Sequence, residues 1–155
     1  MQLFIGGARA GKRDAVRQRF QHAAWWTLAP GQRLADCHSI LVHDTPLVIN
    51  GVLNWVARDA HSDTSPEHLR ARWREDLNTL CRAARACNAT LVLIMSEVGR
   101  GLLPTETPQH RLLDLNGWLS QDAARHAERV WYVRHGLVQP LAHPVDTPED
   151  LTECS

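Results

Sequence analysis

The order of apolar and polar positions breaks the chain into short hydrophobic runs separated by stretches of helical period. Residues 2–5 are an apolar run that stops at Gly6-Gly7, and residues 12–22 then place Ala15, Val16 and Phe20 near one face; the pattern predicts strand, glycine turn, helix. A second, Trp-rich run over residues 23–28 is closed by Pro30-Gly31, which continues neither strand nor helix comfortably. Two further runs, 39–43 and 47–49, are interrupted by the turn Asp44-Thr45-Pro46, and the third core strand is placed on the second of them. Asn50-Gly51 leads into a short helix over residues 52–59, and polar residues 61–64 read as a surface loop. Ser65-Pro66-Glu67 then supplies an N-cap, a first-turn proline and an acid at the positive dipole end. Leu69, Trp73, Leu77, Leu80, Cys81, Ala84 and Cys87 follow at three- and four-residue steps, one stripe on a long helix.

Residues 90–95 are a continuous apolar run between Asn88 and Ser96, as expected of a parallel strand buried on both faces. A loop over 97–107, a helix over 109–127, a strand over 129–133 and, after Gly136, a last run over 137–141 complete the pattern. Such alternation predicts an α/β protein: a doubly wound, mostly parallel sheet with helices on both faces and ligand sites beyond the carboxyl ends of the strands. Residues 1–142 are expected to form one nucleotide-binding domain and residues 143–155 a polar tail.

Composition narrows the range of partners. The formal charge is zero, with 17 basic and 17 acidic residues interspersed, so no electrostatic footprint suggests nucleic acid. No run approaches the roughly 20 apolar residues that span a bilayer, and the expected location is cytoplasmic. Cys37, Cys81, Cys87 and Cys154 are scattered without a C-x-x-C pair, so they are read as reduced thiols and no metal site is assigned. Lys12 is the only lysine in a chain whose other basic residues are all arginine.

That lysine falls where chemistry asks for it. Gly6-Gly7-Ala8-Arg9-Ala10-Gly11-Lys12 matches G-x-x-x-x-G-K between a predicted strand and a predicted helix, the setting of a phosphate loop, which makes the fold P-loop NTPase-like. Small residues let backbone N–H groups turn towards phosphate oxygens, the helix start adds positive potential, and Lys12 reaches the outer phosphates. The expected ligand is GTP or ATP. Such a loop ordinarily ends in Ser or Thr, whose hydroxyl holds Mg²⁺; Arg13 stands there instead and cannot ligate a metal. Arg9 and Arg13 flank the phosphate site, and their guanidinium groups either offset charge that magnesium otherwise neutralises or lie solvated on the surface. The six tryptophans fall mostly on apolar faces and read as core.

GGARAGKR at the start and SEVGRGLLP near residue 100 resemble the bifunctional adenosylcobinamide kinase and adenosylcobinamide-phosphate guanylyltransferase family of cobalamin synthesis. The family's Glu-Val-Gly-x-Gly-hydrophobic-hydrophobic-Pro segment is met by Glu97, Val98, Gly99, Gly101, Leu102, Leu103 and Pro104; its spaced Asp, Gly and Gln are met by Asp114, Gly117 and Gln121, before a glycine like Gly136. The resemblance covers residues 1–30 and 88–141, and between them only residues 48–55. It implies a kinase that phosphorylates the aminopropanol hydroxyl of adenosylcobinamide with ATP or GTP, and a transferase that carries GMP through a guanylylated histidine. Mg²⁺, a corrinoid substrate and assembly with further copies of the chain are also implied.

This chain departs from the family at three points. Asn50 occupies the strand end where the family has a metal-holding Asp or Glu, beside Arg13 at the other magnesium position. The histidine-bearing helix expected between Pro30 and Leu47 has no counterpart in pattern, and His38 and His43 are the histidines of that interval. His38 is carried as a candidate nucleophile, with a surface or capping role as the alternative. Glu97 either binds substrate or metal or caps the loop it opens. One reading is thus an enzyme of this family, with both activities or with one of them lost; the other is a non-catalytic nucleotide-binding paralogue with a regulatory or interaction role.

Overall fold

The structure, a computed structural model, describes residues 1–99 and 107–141. Six strands form one sheet in the order β2-β3-β4-β1-β5-β6: β1 is Gln2–Gly6, β2 Ala24–Thr27, β3 Leu47–Asn50, β4 Leu91–Ser96, β5 Arg129–Arg134 and β6 Leu137–Leu141. Every pairing is parallel except β5 with β6. The helices are α1 (Lys12–Arg19), α2 (Val52–Ala60), α3 (Pro66–Ala86) and α4 (Thr107–His126). Among the described residues, no helix is long and apolar enough to cross a membrane.

Alternation along each strand sorts the core into two layers. Leu3, Leu47, Ile49, Leu91, Leu93 and Met95 meet α2, α3 and α4 on one face. Phe4, Val48, Val92, Ile94 and Val133 point to the other face, where α1 supplies Ala15 and Val16. Helices therefore cover both faces, as expected, but three lie on one side and α1 on the other. The gap beside α1 is filled by tryptophans under arginines: Arg17 lies 5.2 Å from the Trp25 ring centre and Arg19 3.9 Å from that of Trp131.

Element limits differ from the sequence pattern in two informative places. Helix α1 ends at Arg19 rather than at residue 22, because Phe20 leaves helical geometry (φ −124, ψ 71) and packs edge-on against Phe4. Residues 39–43 do not form an extended run; Leu34–Ile40 is a 3-10 helix instead, tied to α3 by the Arg33–Asp76 ion pair. The N-cap at Ser65 is as expected, its hydroxyl oxygen accepting the His68 N–H at 3.2 Å. On the crowded face Trp55 and Trp73 pack at 5.2 Å, and Arg70 clamps the buried Asp122 carboxylate through two bonds, of 3.0 and 3.1 Å, joining α3 to α4.

One contact fixes where the central strands can approach. A Cβ built on Gly6 falls 2.2 Å from the Val133 carbonyl oxygen of β5, whereas one on Gly7 meets nothing within 4 Å. Gly6→Ala is expected to cost at least about 2 kcal/mol in chemical denaturation, because the obstructing atom is backbone. Gly7→Ala should stay within about 0.5 kcal/mol of the parent. Equal stabilities for the two variants would contradict the packing described.

Candidate functional site: a phosphate loop facing a positive cleft

The loop between β1 and α1 is shaped by its glycines and held from below. Gly11 sits at φ 94 as the N-cap of α1, a left-handed conformation that glycine takes at little cost, and Arg9 at φ 57 makes the bend before it. The Gly136 N–H donates to the Ala10 carbonyl at 2.9 Å, so the β5–β6 turn supports the loop; a Cβ on Gly11 would lie 3.1 Å from the Gly136 Cα. The Lys12 side chain folds back under the loop, donating to the Gly6 carbonyl at 2.9 Å and the Gly7 carbonyl at 2.6 Å. Gly6 O also accepts the Glu97 N–H at 2.9 Å, which ties the end of β4 to the same point.

Lys12 is 9% exposed. Burial lowers its pKa from the usual 10.5, the Glu97 carboxylate raises it and the neighbouring Arg13 lowers it further. Beyond the loop opens a cleft of about 520 Å³, within the usual size of a small-ligand site. One wall is Ala8 to Asp14, the opposite wall Asn50 to Asn54 at the start of α2, and the floor is Ile94 and Ser96 of β4. Residues 8–13 and Asn50, singled out from the sequence, thus stand around one space, with Gly6 and Gly7 beneath it.

The other predicted site residues lie elsewhere. Glu97 and Gly99 border a second, smaller hollow of about 220 Å³ against α4, with Asn116, Gly117 and Ser120 on its far wall. Tyr132 donates to the Glu97 carboxylate at 3.1 Å. Gly101 and Pro104 lie outside the described residues, as does the tail over 143–155. His38 is exposed on the 3-10 helix, its Nδ1 2.9 Å from the Ala35 carbonyl, and is not among the residues lining either hollow. His43 is likewise exposed and contacts Asp44 at 2.8 Å. Sequence reasoning passed over Ser96 and the start of α2. A polar residue at a strand's carboxyl end, and a glycine directly before a helix, were the available signals.

The donor set does not suit a divalent cation. Asn50 is 6% exposed, and both of its polar atoms are engaged inward: Oδ1 accepts from the Thr27 hydroxyl at 3.0 Å and Nδ2 donates to the Trp26 carbonyl at 3.2 Å. Asp14, the carboxylate bordering the cleft, is paired with Arg17 at 3.2 Å. Arg13 carries the wrong charge. Among the described residues, the two positions that would hold Mg²⁺ in an ordinary phosphate loop, Arg13 and Asn50, therefore offer it no ligand.

A glycine-shaped loop at the end of a central parallel strand, opening a helix with a lysine at its first position, defines a P-loop NTPase-like protein. The family model described as cobinamide kinase / cobinamide phosphate guanyltransferase matches residues 13–141. The chain belongs to that family. It is similar to the bifunctional adenosylcobalamin biosynthesis protein CobU of Escherichia coli (strain K12), 32% identical over 62 residues, 40% of this chain and 34% of the relative. A second such relative, CobU of Salmonella typhimurium, is 32% identical over 63 residues, 41% of this chain and 35% of the relative. The matched spans thus cover about a third of the length of these two proteins. Bifunctional adenosylcobalamin biosynthesis protein CobP of Pseudomonas aeruginosa is 26% identical over 144 residues, 89% of this chain and 80% of the relative.

The depressed Lys12 pKa carries a testable sign. Between that pKa and 10.5 the unfolded chain holds the proton more firmly than the folded one, so this group makes stability rise with pH across the window. Urea midpoints measured through the alkaline range should rise in the parent relative to Lys12→Met, the opposing effect of the buried Cys37 and Cys81 thiols, whose pKa values burial raises, being common to both proteins. A difference between the two proteins that is flat with pH would show that Lys12 titrates as an ordinary lysine.

Proposed function

We propose that the chain binds GTP or ATP by its triphosphate in the cleft above the loop and performs the kinase half of its family's chemistry in cobalamin biosynthesis, phosphorylating a cobinamide hydroxyl. The observation that carries this reading is the buried Lys12 ammonium held between the Gly6 and Gly7 carbonyls in the wall of a cleft that two helix starts face. An ammonium in that place is ready to exchange a carbonyl for a phosphate oxygen, and the loop's N–H groups complete the cradle. Glu97, whose field reaches Lys12, is assigned the substrate side, accepting the proton of the attacking hydroxyl. The kinase half is preferred to guanylyl transfer because, among the described residues, no histidine lines the cleft. Homo-oligomer formation belongs to the same proposal.

A second reading, that the protein holds nucleotide without catalysis, is favoured by the donor set: neither Arg13 nor Asn50 offers a ligand to the ion on which phosphoryl transfer usually relies. Incubation with cobinamide and γ-labelled ATP or GTP separates the two. Label appearing in the corrinoid supports the kinase; tight nucleotide binding with no transfer supports the second reading. With α-labelled GTP, no acid-labile label should remain on the protein, and its appearance would restore the guanylyltransferase.

Two substitutions assign the roles. Lys12→Ala should weaken nucleotide affinity about ten- to a hundredfold, the range expected for losing a charge-assisted contact. Glu97→Gln should leave nucleotide affinity within about twofold while lowering kcat by about a hundredfold, as for a lost general base. Loss of nucleotide affinity in Glu97→Gln would instead place Glu97 in the nucleotide site.

A further inference from the structure

The charges that border the cleft are one-sided. Among the described residues, Arg9, Lys12 and Arg13 line it against one lining carboxylate, Asp14, which is turned to Arg17 and is 79% exposed, while the Glu97 carboxylate acts on Lys12 from the neighbouring hollow. Neither helix that opens on the cleft has a side-chain cap. In α2 the first intrahelical bond recorded at its start is from the Trp55 N–H to the Gly51 carbonyl at 3.2 Å, and the three residues before Trp55, namely Val52, Leu53 and Asn54, all border the cleft. Their N–H groups have no intrahelical acceptor and stand at the positive end of the helix dipole. Across the space Arg13, at the second position of α1, occupies the place of a metal-holding hydroxyl.

Asn50 makes this balance a fixed property of the fold. Its amide joins the carboxyl ends of β2 and β3 by donating to the Trp26 carbonyl, a bond that a carboxylate cannot make, and its oxygen is already accepting from Thr27. The strand end that would hold a cation is thereby spent on backbone architecture. Among the described residues, the balance around the cleft is positive: three basic side chains and two helix starts against Asp14, which is paired with Arg17.

We propose that this cleft takes its nucleoside triphosphate as the metal-free polyanion, with Arg13 and the uncapped start of α2 supplying the countercharge that a divalent ion supplies in other phosphate-loop proteins. The proposal rests on the nucleotide-binding reading above and goes beyond it by naming the form of the ligand. A bare triphosphate carries more negative charge than its magnesium complex, so a cleft with this balance selects the bare form. Guanidinium suits the role because its planar fork can meet two phosphate oxygens at once.

The test is a titration of the full chain with GTP and with ATP, in EDTA and in saturating Mg²⁺, with inorganic pyrophosphate as a competitor. Binding in EDTA is expected to be as tight as in Mg²⁺ or severalfold tighter, and pyrophosphate should displace the nucleotide. Arg13→Ser should lose about tenfold in EDTA, and Mg²⁺ should then tighten its binding; Arg13→Lys should recover part of the loss. Arg13 is exposed, so these variants are expected to fold, and their thermal melting is the control. Parent binding that improves tenfold or more with Mg²⁺, or an Arg13→Ser variant unchanged in EDTA, overturns the metal-free form while leaving the nucleotide site standing. Absence of binding in both conditions overturns the nucleotide site itself.

Discussion

The close approach of β1 to β5 at Gly6 governs the architecture of the site. With no Cβ there, the Val133 carbonyl lies where a side chain would otherwise stand, just past the Ile5–Tyr132 pair that ends the β1–β5 ladder, while Gly6 itself stays paired with Ser96 of β4. The Gly6 carbonyl is then free to accept both the Glu97 N–H and the Lys12 ammonium, so one backbone oxygen joins the neighbouring strand, the loop and the helix that follows. Gly136 completes the frame from the other side through the Ala10 carbonyl. The loop is thus shaped before any ligand arrives, and the conformational cost of forming it falls on folding rather than on binding.

Much of this frame could be read from the residues. The strand before Gly6, the lysine after Gly11, the capped start of α3 at Ser65 and the continuous apolar β4 each carry a local signal that agrees with the global fold. The 3-10 helix over Leu34–Ile40 had none, since so short an element develops no apolar period, and Cys37 and Leu34 enter the core through tertiary contacts with the α3 side. The end of α1 was similarly set by a distant partner, Phe4, rather than by a breaker near residue 20. At the site, the sequence marked Asn50 as a departure but not its purpose. Its two hydrogen bonds run to β2, which is 23 and 24 residues away along the chain.

Arginine and lysine divide the electrostatic work in this protein. Guanidinium groups appear where a planar, half-exposed cation is useful: over Trp25 and Trp131 as covers for the thinly protected sheet face, and against Asp76 and Asp122 as two-pronged clamps on buried carboxylates. In the clamps, Arg70 is 27% and Arg33 50% exposed, so each charge keeps part of its hydration while the carboxylate is satisfied inside. A buried acid paired in this way avoids the penalty that an isolated one would carry.

The phosphate loop makes the opposite demand. The space between the Gly6 and Gly7 carbonyls admits a compact ammonium on a flexible stem, and a fork-shaped group would have to spread the very backbone that Gly6 brings close to Val133. That constraint accounts for a lysine at this one position in a chain whose other 16 permanently charged bases are arginines. It also explains why Arg13, one residue further on and exposed, can differ from an ordinary phosphate loop without disturbing it: the geometry is enforced below the loop, and the charge balance of the cleft is set above it.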